Sequence, residues 1–334
     1  MKKNLFVGFI ALTALTVTSC TNDEVVEAIP QKQAIEFGTY LGRDAQSRGT
    51  EETAETLKGG FGVMAYLHKG EKSDYSTPNF MNNVEVYHNG SGWTYSPAKY
   101  WPSDTDNKID FLAYGPYSGD DNTHITVNNT TLLFNVDATV ANQTDLVVAT
   151  PKVALYNGDG GTYGLNASNE VEFEFKHMLS RIAFYAKAAS NYSNAEIKIT
   201  NISLTGNFHA SGAVNLSAVS PAIEGNDTNW STPKTYSPAV TTTALTTTLV
   251  MQNPVTDYLM VIPEAAQDLT LAVTYTLKDD MTTITNTITK TLSDQVFAAG
   301  KAYAINLAIG LSQIEFNVAS FDWGSEETVA APQF

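Results

Sequence analysis

Leu269-Thr270-Leu271-Ala272-Val273-Thr274-Tyr275-Thr276-Leu277 carries a large apolar side chain at every second position, with threonine or alanine between. Successive side chains of an extended strand point to opposite faces, so this stretch presents one face to a core and one to solvent. A helix would scatter the same residues around its circumference. The pattern repeats outward in both directions. Phe61, Val63, Ala65 and Leu67 share a face, as do Ile125 with Val127, then Leu132, Phe134 and Val136, then Val171, Phe173 and Phe175, then Ile197 and Ile199. No long stretch places apolar residues at i, i+3, i+4 and i+7, so the chain reads as mostly β. Threonine fills exposed positions in residues 246–248 and 281–292, where β-branching suits a strand without adding charge. Turn signals separate the strands at Asn89-Gly90, at residues 157–161, at Gly225-Asn226-Asp227 and at Lys278-Asp279-Asp280.

The chain has 334 residues, enough for two β-domains of about 100–200 residues each. The glycine-rich run from Asn157 to Gly164, followed by residues 166–169, interrupts the strand pattern and places a domain boundary near residue 168. Residues 211–240, with Pro221, Pro233, Pro238, Gly212 and Gly225, read as a large surface loop. Hydrophobic residues make up 43% of the chain and charged ones only 16%, so there is material for packed cores. The net charge of −16 would repel the phosphates of nucleic acid and of anionic lipid, which makes both poor partners. A single cysteine excludes an intrachain disulfide and any cysteine-based metal cluster.

That cysteine has a distinctive place. Lys2 and Lys3 precede the apolar run Leu5 to Val17, and small residues then lead to Cys20, the order of a bacterial export signal. The run is shorter than the roughly 20 residues a membrane span requires, and no later stretch is long enough. Val17-Thr18-Ser19-Cys20 resembles the lipobox of bacterial lipoproteins, which implies that residues 1–19 are removed and that Cys20 becomes a lipidated N-terminus. Asp23 and Glu24 resemble the acidic signal that directs some lipoproteins to the outer face of the outer membrane.

Candidate chemistry is sparse. His68, His88, His124, His177 and His209 are scattered, with no pair at i, i+2 or i, i+4 to grip one metal ion. Asp104, Asp106 and Asp110 lack the glycine and bidentate glutamate of a calcium loop, so a polar hairpin is the simpler reading. Gly158 to Gly161 has no phosphate-loop spacing. His177 and Ser180 lie three apart in a strand-like stretch, on opposite faces, and no G-x-S-x-G elbow occurs. Tyr87, Trp93, Tyr95, Tyr100 and Trp101 could stack a sugar or fill a core, and strand aromatics are usually core. No catalytic residue, metal or cofactor is expected.

Several phrases, in order, resemble the fimbrillin family, the FimA/Mfa-like subunits of type V pili. Tyr100-Trp101-Pro102 followed by Ile109-Asp110-Phe111-Leu112-Ala113-Tyr114 and Pro116 is similar to one family block, and Asp145-Leu146-Val147-Val148-Ala149 to another. Phe173 to Phe184 is similar to the strand that carries the family's F-x-H-x-L-S phrase, which accounts for His177 without catalysis. Phe297 to Leu311 and Val318 to Trp323 are similar to its closing strands. The resemblance implies an all-β fold of two transthyretin-like β-sandwich domains in tandem and a structural or adhesive role in a cell-surface pilus. It also implies a lipoprotein precursor from which an arginine-specific protease removes an N-terminal strand, opening a groove for a strand of another pilus subunit.

In this chain Ile35, Phe37, Thr39 and Leu41 alternate as that removable strand should, and Arg43 and Arg48 follow. Cleavage between Arg48 and Gly49 fits best, in a small, polar stretch where backbone can enter a protease. The expected organisation is a signal peptide at 1–19, a propeptide at 20–48, a first sandwich at 49–168 and a second at 169–334. Phe316 and Val318 alternate before Phe321 and Trp323 resume on a shifted register, which suggests a bulge near Ala319-Ser320. In the family the C-terminal strands can fill a neighbour's groove, so these four residues are candidate plugs of a donor strand, unless residues 314–323 simply complete the second sandwich. The rival reading is a surface lipoprotein that binds glycan through its loops.

Overall fold

The computed structural model describes residues 33–41, 52–70, 75–104, 106–119, 123–157, 161–163, 170–228, 230–254, 257–311 and 313–323. These residues are all-β apart from short 3-10 turns at Thr56–Gly59 and Val140–Asn142. In chain order the strands are β1 (Phe37–Tyr40), β2 (Phe61–Lys69), β3 (Met81–His88), β4 (Trp93–Thr94), β5 (Asn107–Gly115), β6 (Ile125–Asn128), β7 (Thr131–Asn135), β8 (Val147–Ala149), β9 (Lys152–Asn157), β10 (Gly161–Tyr163) and β11 (Val171–His177). There follow β12 (Ser180–Ala188), β13 (Glu196–Gly206), β14 (Ser211–Asn215), β15 (Ile223–Gly225), β16 (Lys234–Tyr236), β17 (Val250–Met251), β18 (Leu259–Val261), β19 (Glu264–Lys278), β20 (Thr283–Phe297), β21 (Lys301–Ile309) and β22 (Ile314–Asp322).

The first sheet runs β1-β11-β8-β5-β2-β3-β4, with β9 also paired to β5. Phe61, Val63, Ala65, Phe111, Ala113, Val147 and Phe173 form the core on one of its faces. Its other side is covered as well. Met64, Tyr66, Leu112, Tyr114 and Val148 join a second, larger core that continues into the later half of the chain. The central strands are therefore apolar on both faces, which explains why β2 and β5 are nearly unbroken runs of buried residues.

That larger core lies between the sheet β17-β12-β21-β22 and the sheet β16-β13-β19-β20. Leu269, Leu271, Val273 and Tyr275 of the opening stretch are buried there, with Thr270 exposed on the other face. The two inner faces interdigitate as in a sandwich.

Two expectations need correction. Residue 168 is not a boundary between sheets: β11 pairs with β1 and β8 of the first sheet, and β7 pairs with β14 across that position. Local composition marks an irregular stretch, but sheet membership is decided by long-range pairing, and β11 returns to the first sheet after it. Residues 211–240 are not one loop either, because β14, β15 and β16 form within them. The prolines and glycines there punctuate short strands whose apolar residues Val214, Ile223 and Tyr236 reach the core.

Gly62 shows how tightly the first sheet is fitted. It pairs with Tyr114, and a β-carbon on it would lie 2.3 Å from the Tyr114 ring and 2.8 Å from Asn83 Oδ1. The Tyr114 hydroxyl donates to that same Asn83 oxygen at 2.6 Å, so the ring cannot retreat without losing a half-buried hydrogen bond. Gly62→Ala is expected to destabilise the fold by about 1–3 kcal/mol through overpacking, measured as a lower midpoint of urea unfolding with an unchanged slope.

Candidate functional site

The feature that stands out in the first sheet is its closing strand. Ile35, Phe37 and Leu41 are buried, Thr39 is half-buried, and Glu36 and Tyr40 point outward. The alternation read from sequence thus places an apolar edge on the first core. Phe37 packs on Phe173 with ring centroids 5.7 Å apart, on Phe111 at 5.8 Å and on Tyr95 at 5.3 Å. Burying three such side chains contributes on the order of 5–9 kcal/mol before ordering costs.

The backbone of this segment is held on both sides. Along one edge β1 runs parallel to β11, pairing Phe37 with Val171 and Tyr40 with Glu174. The Val171 N–H donates to the Glu36 carbonyl at 2.9 Å. Along the other edge, before β1 proper, Ile35 N–H donates to Lys99 O at 2.9 Å and Trp101 N–H to Gln33 O at 3.0 Å, an antiparallel bridge centred on Ala34 and Tyr100. The Tyr95 hydroxyl donates to Ile35 O at 2.8 Å. Residues 33–40 therefore bridge the two ends of the sheet. Without them, β11 and residues 99–101 would be two unpaired edges beside an apolar floor, the arrangement that accepts an added strand.

Glu52 is anchored to a buried carboxylate. Glu52 N–H donates to Asp145 Oδ2 at 3.0 Å, His177 Nδ1 lies 2.7 Å from the same oxygen, and Leu146 N–H donates to Asp145 Oδ1 at 2.7 Å. Asp145 is wholly buried. The two sequence phrases that contain Asp145 and His177 are thus bound to each other at one carboxylate. The Glu52 carboxyl is pushed up to about 8, first by burial and then by the charge of Asp145, with the Thr56 hydroxyl opposing the shift.

His177 also stacks face to face on Trp323, with centroids 4.2 Å apart and planes 4° from parallel. The Arg181 guanidinium lies 4.3 Å from the Tyr258 ring centroid and 5.8 Å from that of Trp323. Trp323 closes the end of β22, which pairs antiparallel with β21 over all nine residues, from Ile309 with Ile314 to Lys301 with Asp322. The expected bulge near Ala319-Ser320 is absent from this continuous ladder. The apparent shift arises because Phe321 lies on the opposite face from Phe316 and Val318, and Trp323 sits in a turn beyond the strand. β22 is an edge strand, with Phe316 and Val318 half-buried against the core.

Other sequence candidates have structural partners. Ser180 donates to Ala298 O at 2.8 Å, away from His177. Asp110 is engaged by His68 at 3.0 Å and the Tyr75 hydroxyl at 2.7 Å, whereas Asp104 pairs with Lys69. Among the described residues no group of three histidine, cysteine or acidic side chains is placed to hold a metal ion. Trp101 is buried in the first core, with Trp93 and Tyr95 packed at its margin, while Tyr87 and Tyr100 are exposed. Cys20, Arg48 and Gly49 lie outside the described residues.

The model of the family described as fimbrillin-like matches residues 48–323. The chain belongs to the fimbrillin-like family. It is 32% identical over 195 residues to the fimbrium subunit Fim1C of Phocaeicola vulgatus, covering 52% of this chain and 49% of that protein. The chain thus spans about half the length of that curated relative. The fold is similar to that of a fimbrial protein from Bacteroides vulgatus, with a TM-score of 0.69 at 22% identity over 87% of this chain and 99% of the other. The fimbrillin-like match begins at residue 48, after the strand that closes the first sheet.

The Glu52 environment has a measurable consequence. Its carboxyl is raised from 4.5 to about 8 in the fold, so the folded chain holds that proton more tightly than the unfolded chain. Stability is therefore lost as pH rises from about 4.5 to about 8. Glu52→Gln, which keeps the shape of the neutral acid, is expected to raise the thermal midpoint at pH 8.5. That advantage should disappear at pH 4, as measured by calorimetry across the range.

Proposed function

We propose that this fimbrillin-like chain is a structural or adhesive subunit of a cell-surface fimbrium. It is delivered as an outer-membrane lipoprotein acylated at Cys20, matured by an arginine-specific protease at Arg48-Gly49, and polymerised by strand exchange. The observation that carries this reading is that residues 33–40 close the first sheet from both edges. A cut after residue 48 would free that strand while Glu52 stays tied to Asp145. The propeptide is then residues 20–48, and the mature chain begins in the first sandwich.

The vacated seat offers backbone donors and acceptors and a floor of Phe111, Phe173 and Trp101 to an incoming strand of another subunit. An incoming strand that buries four or five apolar side chains would gain on the order of 6–15 kcal/mol before ordering costs, enough for a durable polymer. β22 is the candidate donor, with Phe316, Val318, Phe321 and Trp323 as plugs. It lies at a sheet edge and is bound to one neighbouring strand. Its release requires Trp323 to leave the His177 ring.

In cells, assembled protein is expected to begin at Gly49 by N-terminal sequencing and to form SDS-resistant ladders on unheated gels. Arg48→Ala should leave the precursor uncut and abolish the ladders, and Cys20→Ala should abolish acyl labelling and surface delivery. Replacing both Phe321 and Trp323 by Ser should shorten the ladders. Assembled protein that still begins at residue 20, or ladders unaffected by Arg48→Ala, would overturn the maturation scheme.

A further inference from the structure

The outer face of the sheet β16-β13-β19-β20 is unusual for an acidic protein. β20 exposes Thr283, Thr285, Thr287, Thr289 and Thr291 at every second position. Across the ladder on β19 stand Thr276, Thr274, Ala272 and Thr270, opposite Thr285 to Thr291 in turn. The pattern continues onto β13, where Asn201, Ser203 and Thr205 pair with Thr274, Ala272 and Thr270, and onto β16, where Thr235 pairs with Thr205. We propose that this threonine face is a contact surface for a second copy of the same chain, packed sheet against sheet.

Charge is the first argument. The chain carries −16 overall, so two copies repel each other over most of their surfaces. On this face the charged side chains stand toward the two ends, Glu196, Lys198 and Lys278 at one and Asp268 with Asp294 at the other. Glu196 and Lys198 are paired at 2.8 Å, which leaves a formal +1 from Lys278 at that end. Two copies can meet on this face without like-charge repulsion at its centre.

Desolvation is the second. Burying hydroxyls costs free energy unless they are already bonded. Thr274 and Thr287 hydroxyl oxygens are 2.9 Å apart, and those of Thr205 and Thr235 are 2.7 Å apart, so in each pair one hydroxyl donates to the other within the sheet and part of that cost is already met. Their methyl groups remain available for apolar contact with a facing sheet about 10 Å away.

Area sets the strength. Nine residues at about 3.4 Å each and three to four strands about 4.8 Å apart give a face on the order of 500 Å² per copy. Two copies would bury about 1,000 Å², the lower bound for a specific interface, so the association is weak and reversible. Asp279 and Asp280 at the turn, and Asp268 and Asp294 near the other end, place acids at the rim. Added salt screens those acids and strengthens the association, the reverse of a contact held by ion pairs.

The test uses the chain from residue 20 onward with Cys20→Ala and β1 retained, so that strand exchange, which needs a vacated groove, does not contribute. Sedimentation velocity over a concentration series should show a monomer–dimer equilibrium that strengthens with salt and is abolished by SDS. Thr274→Glu combined with Thr287→Glu should weaken it at least tenfold, whereas Thr126→Glu on β6 should leave it unchanged. A chain that stays monomeric throughout, or a dimer indifferent to the two glutamates, overturns the proposal and leaves the strand-exchange reading untouched. Should the glutamates disturb folding, Thr287→Cys in the same thiol-free background decides the matter with a short bis-maleimide linker. Cross-linking faster than that of Thr126→Cys supports the face, and equal rates overturn it.

Discussion

The first sheet depends on a strand that is tied to it by backbone hydrogen bonds on two sides. Val171 N–H and Trp101 N–H each donate to a carbonyl of residues 33–36, one from β11 and the other from the segment after β4. A sheet edge is a row of unmet donors and acceptors, and here two edges face each other across a gap one strand wide. The side chains of Ile35, Phe37 and Leu41 complete the first core at the same time. Backbone and side chain thus impose the same requirement: the gap must hold a strand with apolar residues at alternate positions. That requirement is general enough for a strand from another chain to meet it.

Much of this architecture is legible in the sequence because period-two alternation survives wherever one face of a strand is solvated. β19 is the clearest case, with Leu269, Leu271, Val273 and Tyr275 inward and Thr270 outward. Alternation is less informative where both faces are covered. In β2 and β5 the residues between the expected core positions, Met64, Tyr66, Leu112 and Tyr114, are buried as well, because the first sheet also packs against the larger core. The parallel pairing of β1 with β11 joins residues more than 130 positions apart, and nothing local in either strand encodes it. For the same reason the glycine-rich composition near residue 168 does not mark the change of sheet, since β11 follows it and returns to the earlier sheet.

The site chemistry was legible only in fragments. Asp145 lies before an apolar strand and His177 ends another, and each belongs to a recognisable phrase, yet their meeting at 2.7 Å is a property of the fold. A buried carboxylate needs donors, and Asp145 draws them from Glu52, Leu146 and His177. This carboxylate joins Glu52 to the end of β11, and through the His177–Trp323 stack to the end of β22. The strand that closes the first sheet and the strand at the far edge of the second core therefore both terminate on elements that share β11.

Amide hydrogen exchange at Val171 and Trp101 tests the central claim most directly, because both N–H groups donate to carbonyls of the closing segment. The account predicts slow exchange at both amides in the uncut chain. Fast exchange should appear at both once the chain is cut after residue 48 and the released segment is separated from unassembled subunits. Equally slow exchange at both positions after the segment has gone would show that the gap closes on itself, and would contradict the view that residues 33–40 occupy a seat another strand can take.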